Sequence, residues 1–218
     1  MNIDLFNPHM IAIKQRRGDF PPIQLMTDAG HGWETIGKRS FDGSLRENDY
    51  NTSVERKIGM LVHVAKQAGV DIVHSLLSPE HYDISLDKRV DRERSIYAAN
   101  HRDRLVLGIS IHADAFGDPS PNGTTTFHCR NSQSKLFAKE VHDALLSVNG
   151  LRDRGVRVAN FKILRETSAP WILVEAAFMT NEMEKEKLKT EYFRNINALS
   201  LFNSVFTTAE KYHNVYRK

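Results

Sequence analysis

The chain has 218 residues, with 30 Lys and Arg against 27 Asp and Glu and a net charge of +3, which fits one domain of ordinary to large size. Hydrophobic residues make up 40% and charged residues 26%, a globular composition that excludes a disordered chain. The longest apolar runs, such as 105–111 and 171–177, fall well short of the roughly 20 residues that span a bilayer, and the single cysteine, Cys129, excludes an internal disulfide.

At the N-terminus, Asp4, Pro8 and His9 interrupt the only apolar candidate for a secretory signal, and Lys14, Arg16 and Arg17 follow it. Synthesis in a cytoplasm without a signal peptide is therefore expected. Residues 10–13 are expected either to add an edge strand or to cover a sheet. Residues 23–27 form a short apolar run that ends in Asp28-Ala29-Gly30-His31-Gly32. From 47 to 68, Tyr50, Val54, Ile58, Leu61, Val62, Ala65 and Ala68 keep helical spacing, and Gly69 is a stop signal. Residues 70–75 read as a strand and 86–102 as a charged helix. Within it, Lys88, Arg89, Arg92 and Arg94 alternate with Asp87, Asp91 and Glu93, the pattern of a solvated face. With so small a charge excess and no basic stripe, no nucleic-acid partner is expected. Residues 105–111 form a nearly continuous apolar run, as in a strand buried on both faces. Residues 124–129 are β-rich and 134–148 helical, 156–164 and 172–177 read as strands, and 181–207 as one long helix or two. Asn181 with Glu184 has capping-box spacing. Strands alternating with helices predict an α/β sandwich around a largely parallel sheet.

Three of these apolar runs deliver a metal-competent or basic side chain at or near their ends: His31, His112 in Ser110-Ile111-His112-Ala113-Asp114, and Glu175 in Leu173-Val174-Glu175-Ala176-Ala177. Function in open α/β sheets gathers outside the carboxyl ends of strands, and two imidazoles with a carboxylate suit Zn²⁺. Glu175 is the hardest of the three to explain structurally, because a carboxylate buried in an apolar strand costs several kcal/mol unless a charge compensates. Glu47, read alone, is a first-turn acid favoured by the helix dipole.

Four segments occur in a characteristic order: Asp28-Ala29-Gly30-His31-Gly32, Arg46-Glu47-Asn48-Asp49, Ser110-Ile111-His112-Ala113-Asp114, and Val174-Glu175-Ala176-Ala177-Phe178-Met179-Thr180-Asn181. With Arg154-Gly155-Val156-Arg157-Val158-Ala159-Asn160-Phe161, they resemble the zinc-dependent type 3 N-acetylmuramoyl-L-alanine amidases over nearly the whole chain. Trp33 and Ala176-Ala177 stand where that family usually carries Gly and Leu-Gly.

The resemblance implies one zinc ion bound by His31, Glu47 and His112, with Glu175 as the catalytic carboxylate. It implies a single-domain α/β fold with a twisted, mostly parallel six-stranded sheet flanked by helices on both faces. Residues 1–20 form a lead-in, 21–208 the catalytic domain and 209–218 a polar tail. The implied reaction is hydrolysis of the amide between the lactyl group of N-acetylmuramic acid and L-alanine in peptidoglycan, by a monomer that does not insert into membranes. Asp28 and Asp114 are expected to accept hydrogen bonds from the liganding histidines. Asp114 and Asn160, with Trp33, Phe116 and His128, are candidates for lining a glycopeptide groove. Two settings fit at the bacterial wall, a phage-type endolysin released at lysis or an autolysin. Other readings are a zinc peptidase or deacetylase on another wall amide, and a wall-binding module without activity, against which Glu175 argues. The short 116–134 stretch leaves no room for a blocking helical insert, so a site open without an activator is expected.

Overall fold

A computed structural model describes residues 7–80 and 82–216. Six strands, β1 (Ile23–Ala29), β2 (Ile72–Leu76), β3 (Leu105–Asp114), β4 (Thr124–His128), β5 (Asp153–Val158) and β6 (Trp171–Phe178), form one sheet in the order β2-β1-β3-β6-β4-β5. All neighbours run parallel except β4 with β6. The chain leaves β1 toward β2 on one side and returns to β3 on the other, so a topological switch lies at the carboxyl ends of β1 and β3.

Successive strand residues face opposite sides of the sheet. Leu107, Ile109 and Ile111 of β3, with Ile172 and Val174 of β6, face a core built with α2 (Glu47–Gln67), α4 (Ser132–Asn149) and α7 (Glu191–Tyr216). The intervening Val106, Trp171 and Leu173 face a smaller core completed by Val90 of α3 (Leu86–Asn100) and by Ile163 and Leu164 of α5 (Lys162–Arg165). The α/β sandwich with helices on both faces is thus the observed architecture. The same parity brings His112 and Glu175, which are register partners on β3 and β6, to the α3–α5 face at the strand ends.

The structure settles two choices the sequence leaves open and departs from the sequence reading at other points. Residues 10–13 belong to a helix, α1 (Pro8–Arg16), begun by the Asn7 side chain accepting from Met10 N and by a proline in the first turn. It buries Ala12 and adds no strand, and its Gln15 Oε1 accepts from Asp71 N at 2.6 Å. The charged α3 is no uniformly solvated face: Arg89, Val90 and Glu93 are buried. The strand read at 156–164 is displaced, because β5 ends at Val158 and the apolar Ile163 and Leu164 pack from a helical turn instead. Short apolar runs do not distinguish those two cases.

The 181–207 stretch is two helices, α6 (Glu182–Lys189) and α7, parted by an extended Thr190. Asn181 caps α6, but Glu184 does not close a capping box; its carboxylate accepts from Phe178 N and Gly123 N, both at 2.7 Å, and ties β6 to the start of β4. The stretch expected as a polar tail continues α7 and buries Ala209 and Tyr212.

Gly108 of β3 lies against Trp171 of β6, where an added Cβ would come within 1.8 Å of the indole. The substitution Gly108→Ala is therefore expected to destabilise the fold by about 1–3 kcal/mol through overpacking. A guanidinium unfolding curve with an unshifted midpoint would show that the contact relaxes freely.

Candidate metal centre and cleft

The centre is assembled where β1 ends, α2 begins and β3 ends. Beyond β1 the chain turns through His31 at φ 62°, the one positive φ outside glycine among the described residues. A non-glycine residue in that left-handed region is strained, a condition that clusters at functional sites. Gly30 just before it lies under the His112 ring, and a Cβ there would sit 2.1 Å from the imidazole. Two amides from the first turns of α2 hold this turn. Asn48 Nδ2 donates to His31 O at 2.7 Å, and Asn51 Nδ2 donates to Gly30 O at 2.8 Å.

Glu47 is the first residue of α2, and only 2% of it is exposed. Its Oε1 lies 2.9 Å from His112 Nδ1 and accepts from Ala113 N at 3.3 Å, while its Oε2 lies 3.5 Å from His31 Nε2. The Lys38 ammonium approaches the same oxygen at 4.0 Å. One ligand atom from each of His31, Glu47 and His112 falls within 4.8 Å of the others, a group that could hold a metal ion. The two imidazoles meet edge to face at a centroid distance of 5.2 Å.

Burial would raise the Glu47 carboxyl, but His112, His31 and Lys38 outweigh it and hold the group below its usual range. Burial pulls His31 down. In His112 burial acts the same way, but the hydrogen bond and charge of Glu47 overcome it and raise the group. Glu175 stands apart from these three. Its Oε2 is sealed from solvent and has no hydrogen-bond partner. Burial, followed by the opposing charge of His112 and the repulsion of Glu47 and Asp114, leaves its carboxyl raised to about 8.

A cavity of about 660 Å³ opens beside this group, bounded by His31, Lys38, His112 and Glu175, with Ile84, Leu86, Phe161, Ile163 and Leu173 as its apolar wall. The donor set suits zinc in kind, two imidazoles and one carboxylate with an open side, and the unpartnered Glu175 oxygen is placed next to it.

Other expected contacts are redistributed. Asp28 and Asp114 make no hydrogen bond to either histidine. Asp28 instead accepts from Arg89 at 2.6 Å, Ser78 at 3.0 Å and Ser110 at 3.1 Å, and Asp114 accepts from Ala115 N at 2.8 Å. Arg89, buried in the wall of the cavity, also binds Asp83 at 2.7 Å. Asp83 Oδ2 is the carboxylate oxygen near His31 Nδ1, at 3.9 Å. Arg89 sits in a helical run of alternating charges and Asp83 in the loop before it, and neither pattern marks a cleft residue. Asn160 is exposed and lies outside the cavity lining, and His128 is buried against the Cys129 carbonyl. Trp33 and Phe116 are exposed on loops beside the centre. No helix interrupts residues 115–123 between β3 and β4.

The family model of N-acetylmuramoyl-L-alanine amidases matches residues 25–206, a span that contains every residue of this centre. The chain belongs to this family. It is 30% identical over 174 residues to N-acetylmuramoyl-L-alanine amidase LytC of Bacillus subtilis, covering 78% of this chain and 32% of LytC. It is 27% identical over 175 residues to the endolysin of Bacillus phage SPP1, covering 77% and 59%. The chain thus spans a third to somewhat over half the length of these two relatives. Among solved structures, the catalytic domain of CwlV, an N-acetylmuramoyl-L-alanine amidase from Bacillus (Paenibacillus) polymyxa var. colistinus, superposes with a TM-score of 0.73 at 29% identity, covering 85% of this chain and 97% of that one. Among the described residues, no helix is long and apolar enough to cross a membrane.

In this family member, α2 is further fixed to the sheet by Glu55, whose Oε1 accepts from Thr27 Oγ1 at 2.8 Å and from Ala29 N at 3.2 Å. Burial pushes its carboxyl from an ordinary 4.5 up to about 7. A carboxyl raised on folding holds its proton longer than the unfolded chain does. Its contribution to stability is complete below about pH 4.5 and is lost as pH rises toward about 7. Relative to Glu55→Gln, the native protein is expected to lose about 3 kcal/mol across that window. Chemical unfolding of both proteins at several pH values measures the difference, and parallel stability profiles would contradict it.

Proposed function

We propose that this chain hydrolyses the amide between N-acetylmuramic acid and L-alanine in peptidoglycan, with one zinc ion held by His31, Glu47 and His112. The catalytic unit takes in residues 21–208 and the remainder of α7 that packs on the same core. The observation that carries the reading is the convergence of these three donors beside Glu175, a half-buried residue whose Oε2 is sealed from solvent and unpartnered. Zinc bound there would supply Lewis acidity toward water and toward the amide carbonyl.

The protein's own groups do the rest. Glu175 accepts a proton from the attacking water as general base, then returns it to the departing alanine nitrogen as general acid. Its position opposite His112 in the sheet register fixes that carboxylate beside the ligand group. The apolar wall limits competing water, and Lys38 adds a positive charge at the mouth. The names of the relatives, an endolysin and LytC among them, support action at a bacterial cell wall, as a phage-type endolysin or an autolysin.

Digestion of purified peptidoglycan with zinc-loaded protein, followed by mass spectrometry of the new ends, tests the bond. Stem peptides with free N-terminal L-alanine and intact muramic lactyl groups are expected. Cleavage within the peptide, or at an acetyl group, would overturn the substrate assignment. In the same assay Glu175→Ala is expected to lower turnover about 10²–10⁴-fold while zinc content stays at one ion per chain. By contrast, His31→Ala and His112→Ala are expected to lose both metal and activity, and normal turnover in any of these variants would refute its assigned role.

A further inference from the structure

A second surface adjoins the centre and takes no part in the chemistry above. Trp33 follows the ligand His31 by two residues, and Arg46 immediately precedes the ligand Glu47. The Arg46 guanidinium lies over the Trp33 ring, 5.4 Å from its centroid, and its Nη1 donates to Trp33 O at 2.8 Å. The indole is therefore held in place, yet 57% of the residue stays exposed, and the neighbouring Ile36 is 96% exposed. An ordered aromatic left open to water is unusual, because burying it would be favourable and holding it still costs entropy. The depression it lines adjoins the catalytic cavity. Lys38 borders both, with its ammonium 4.0 Å from Glu47 Oε2.

We propose that Trp33 is a stacking platform for the glycan strand, and that the stem peptide lies in the neighbouring cavity between Leu86 and Phe161. This rests on the amidase reading and adds a direction to it. The scissile amide has a sugar polymer on one side and a short peptide on the other. A pyranose ring presents a face of weakly positive C–H bonds, which stacks on the negative face of an indole. Arg46 on the ring adds donors for sugar hydroxyls and for the acetamido carbonyls. With the glycan on Trp33, the neighbouring 660 Å³ cavity, walled by Leu86, Phe161 and Leu173, is the space left for the peptide on the other side of the scissile amide.

The chain has two tryptophans, and the other, Trp171, is 0% exposed, so emission changes report on Trp33. Titration of the intact protein with a peptide-free N-acetylglucosaminyl-N-acetylmuramic acid disaccharide is expected to give a saturable emission change. That change should vanish in Trp33→Phe, and free stem tetrapeptide should produce none. In turnover, the ratio of kcat/KM for a several-disaccharide strand to that for N-acetylmuramoyl-peptide is expected to fall about fivefold to tenfold in Trp33→Ala. A thermal melt confirms that each variant folds. Emission that answers to the peptide and not the sugar, or a ratio unchanged by Trp33→Ala, would overturn the proposal. If the native protein cuts neither substrate, the amidase reading fails, and the sugar titration still decides whether Trp33 stacks.

Discussion

Glu47 is a carboxylate at the start of a helix with almost no access to water. An unpaired buried charge costs several kcal/mol. Here His112, the Ala113 amide and His31 surround it. Meeting that demand fixes the first turn of α2 against the ends of β1 and β3. Asn48 and Asn51, one and four residues further on, reach the carbonyls of His31 and Gly30. They hold the chain in the left-handed turn that aims His31 inward, a conformation of order 1–3 kcal/mol above the ordinary basins. The same helix face continues to Glu55 and its contacts with Thr27 and Ala29. One polar stripe on α2 thus both holds the turn that carries His31 and anchors the helix.

Sheet register supplies the remaining group. Strand alternation puts Trp171, Leu173 and Glu175 on one face, and pairing sets Glu175 beside His112. A one-residue slip would turn Glu175 into the larger core. Arg89 draws Asp28 and Asp83 to itself, so these acids carry a cation of their own, and Glu175 is left as the unpartnered carboxylate over the cleft. In this way a buried ion-pair group in the wall keeps the chemistry of neighbouring acids separate.

The sheet was legible because its central strands are long, apolar and spaced by helical patterns, and because His31, His112 and Glu175 interrupt them where an apolar residue would pack. The pairing of Glu47 with the histidines was not legible from spacing, since its contacts are 65 residues distant in sequence for His112; only the resemblance supplied it. Arg89 was misread because a buried arginine in a run of alternating charges has the same local pattern as a solvated one. Its burial depends on Asp28 of β1, 61 residues away in sequence, which no window around it contains. Residues 161–164 were misread because period alone does not separate a strand from one helical turn. Residues 10–13 were left open between an edge strand and a cover, and a proline and an Asn cap settle them as helix. Asp28 and Asp114 failed as acceptors for the histidines because proximity in sequence at a strand end does not place side chains on one face toward one ring.

The central claim is that three side chains from three separate elements form one metal site with Glu175 beside it. Anomalous diffraction from zinc-soaked crystals, collected on both sides of the zinc absorption edge, tests it most directly. The account requires one strong peak bonded to His31, Glu47 and His112, at roughly 2.0–2.2 Å from their ligand atoms, with Glu175 close by but outside the coordination. A peak ligated by Glu175 in place of Glu47, a peak elsewhere in the molecule, or no peak at the triad would contradict it.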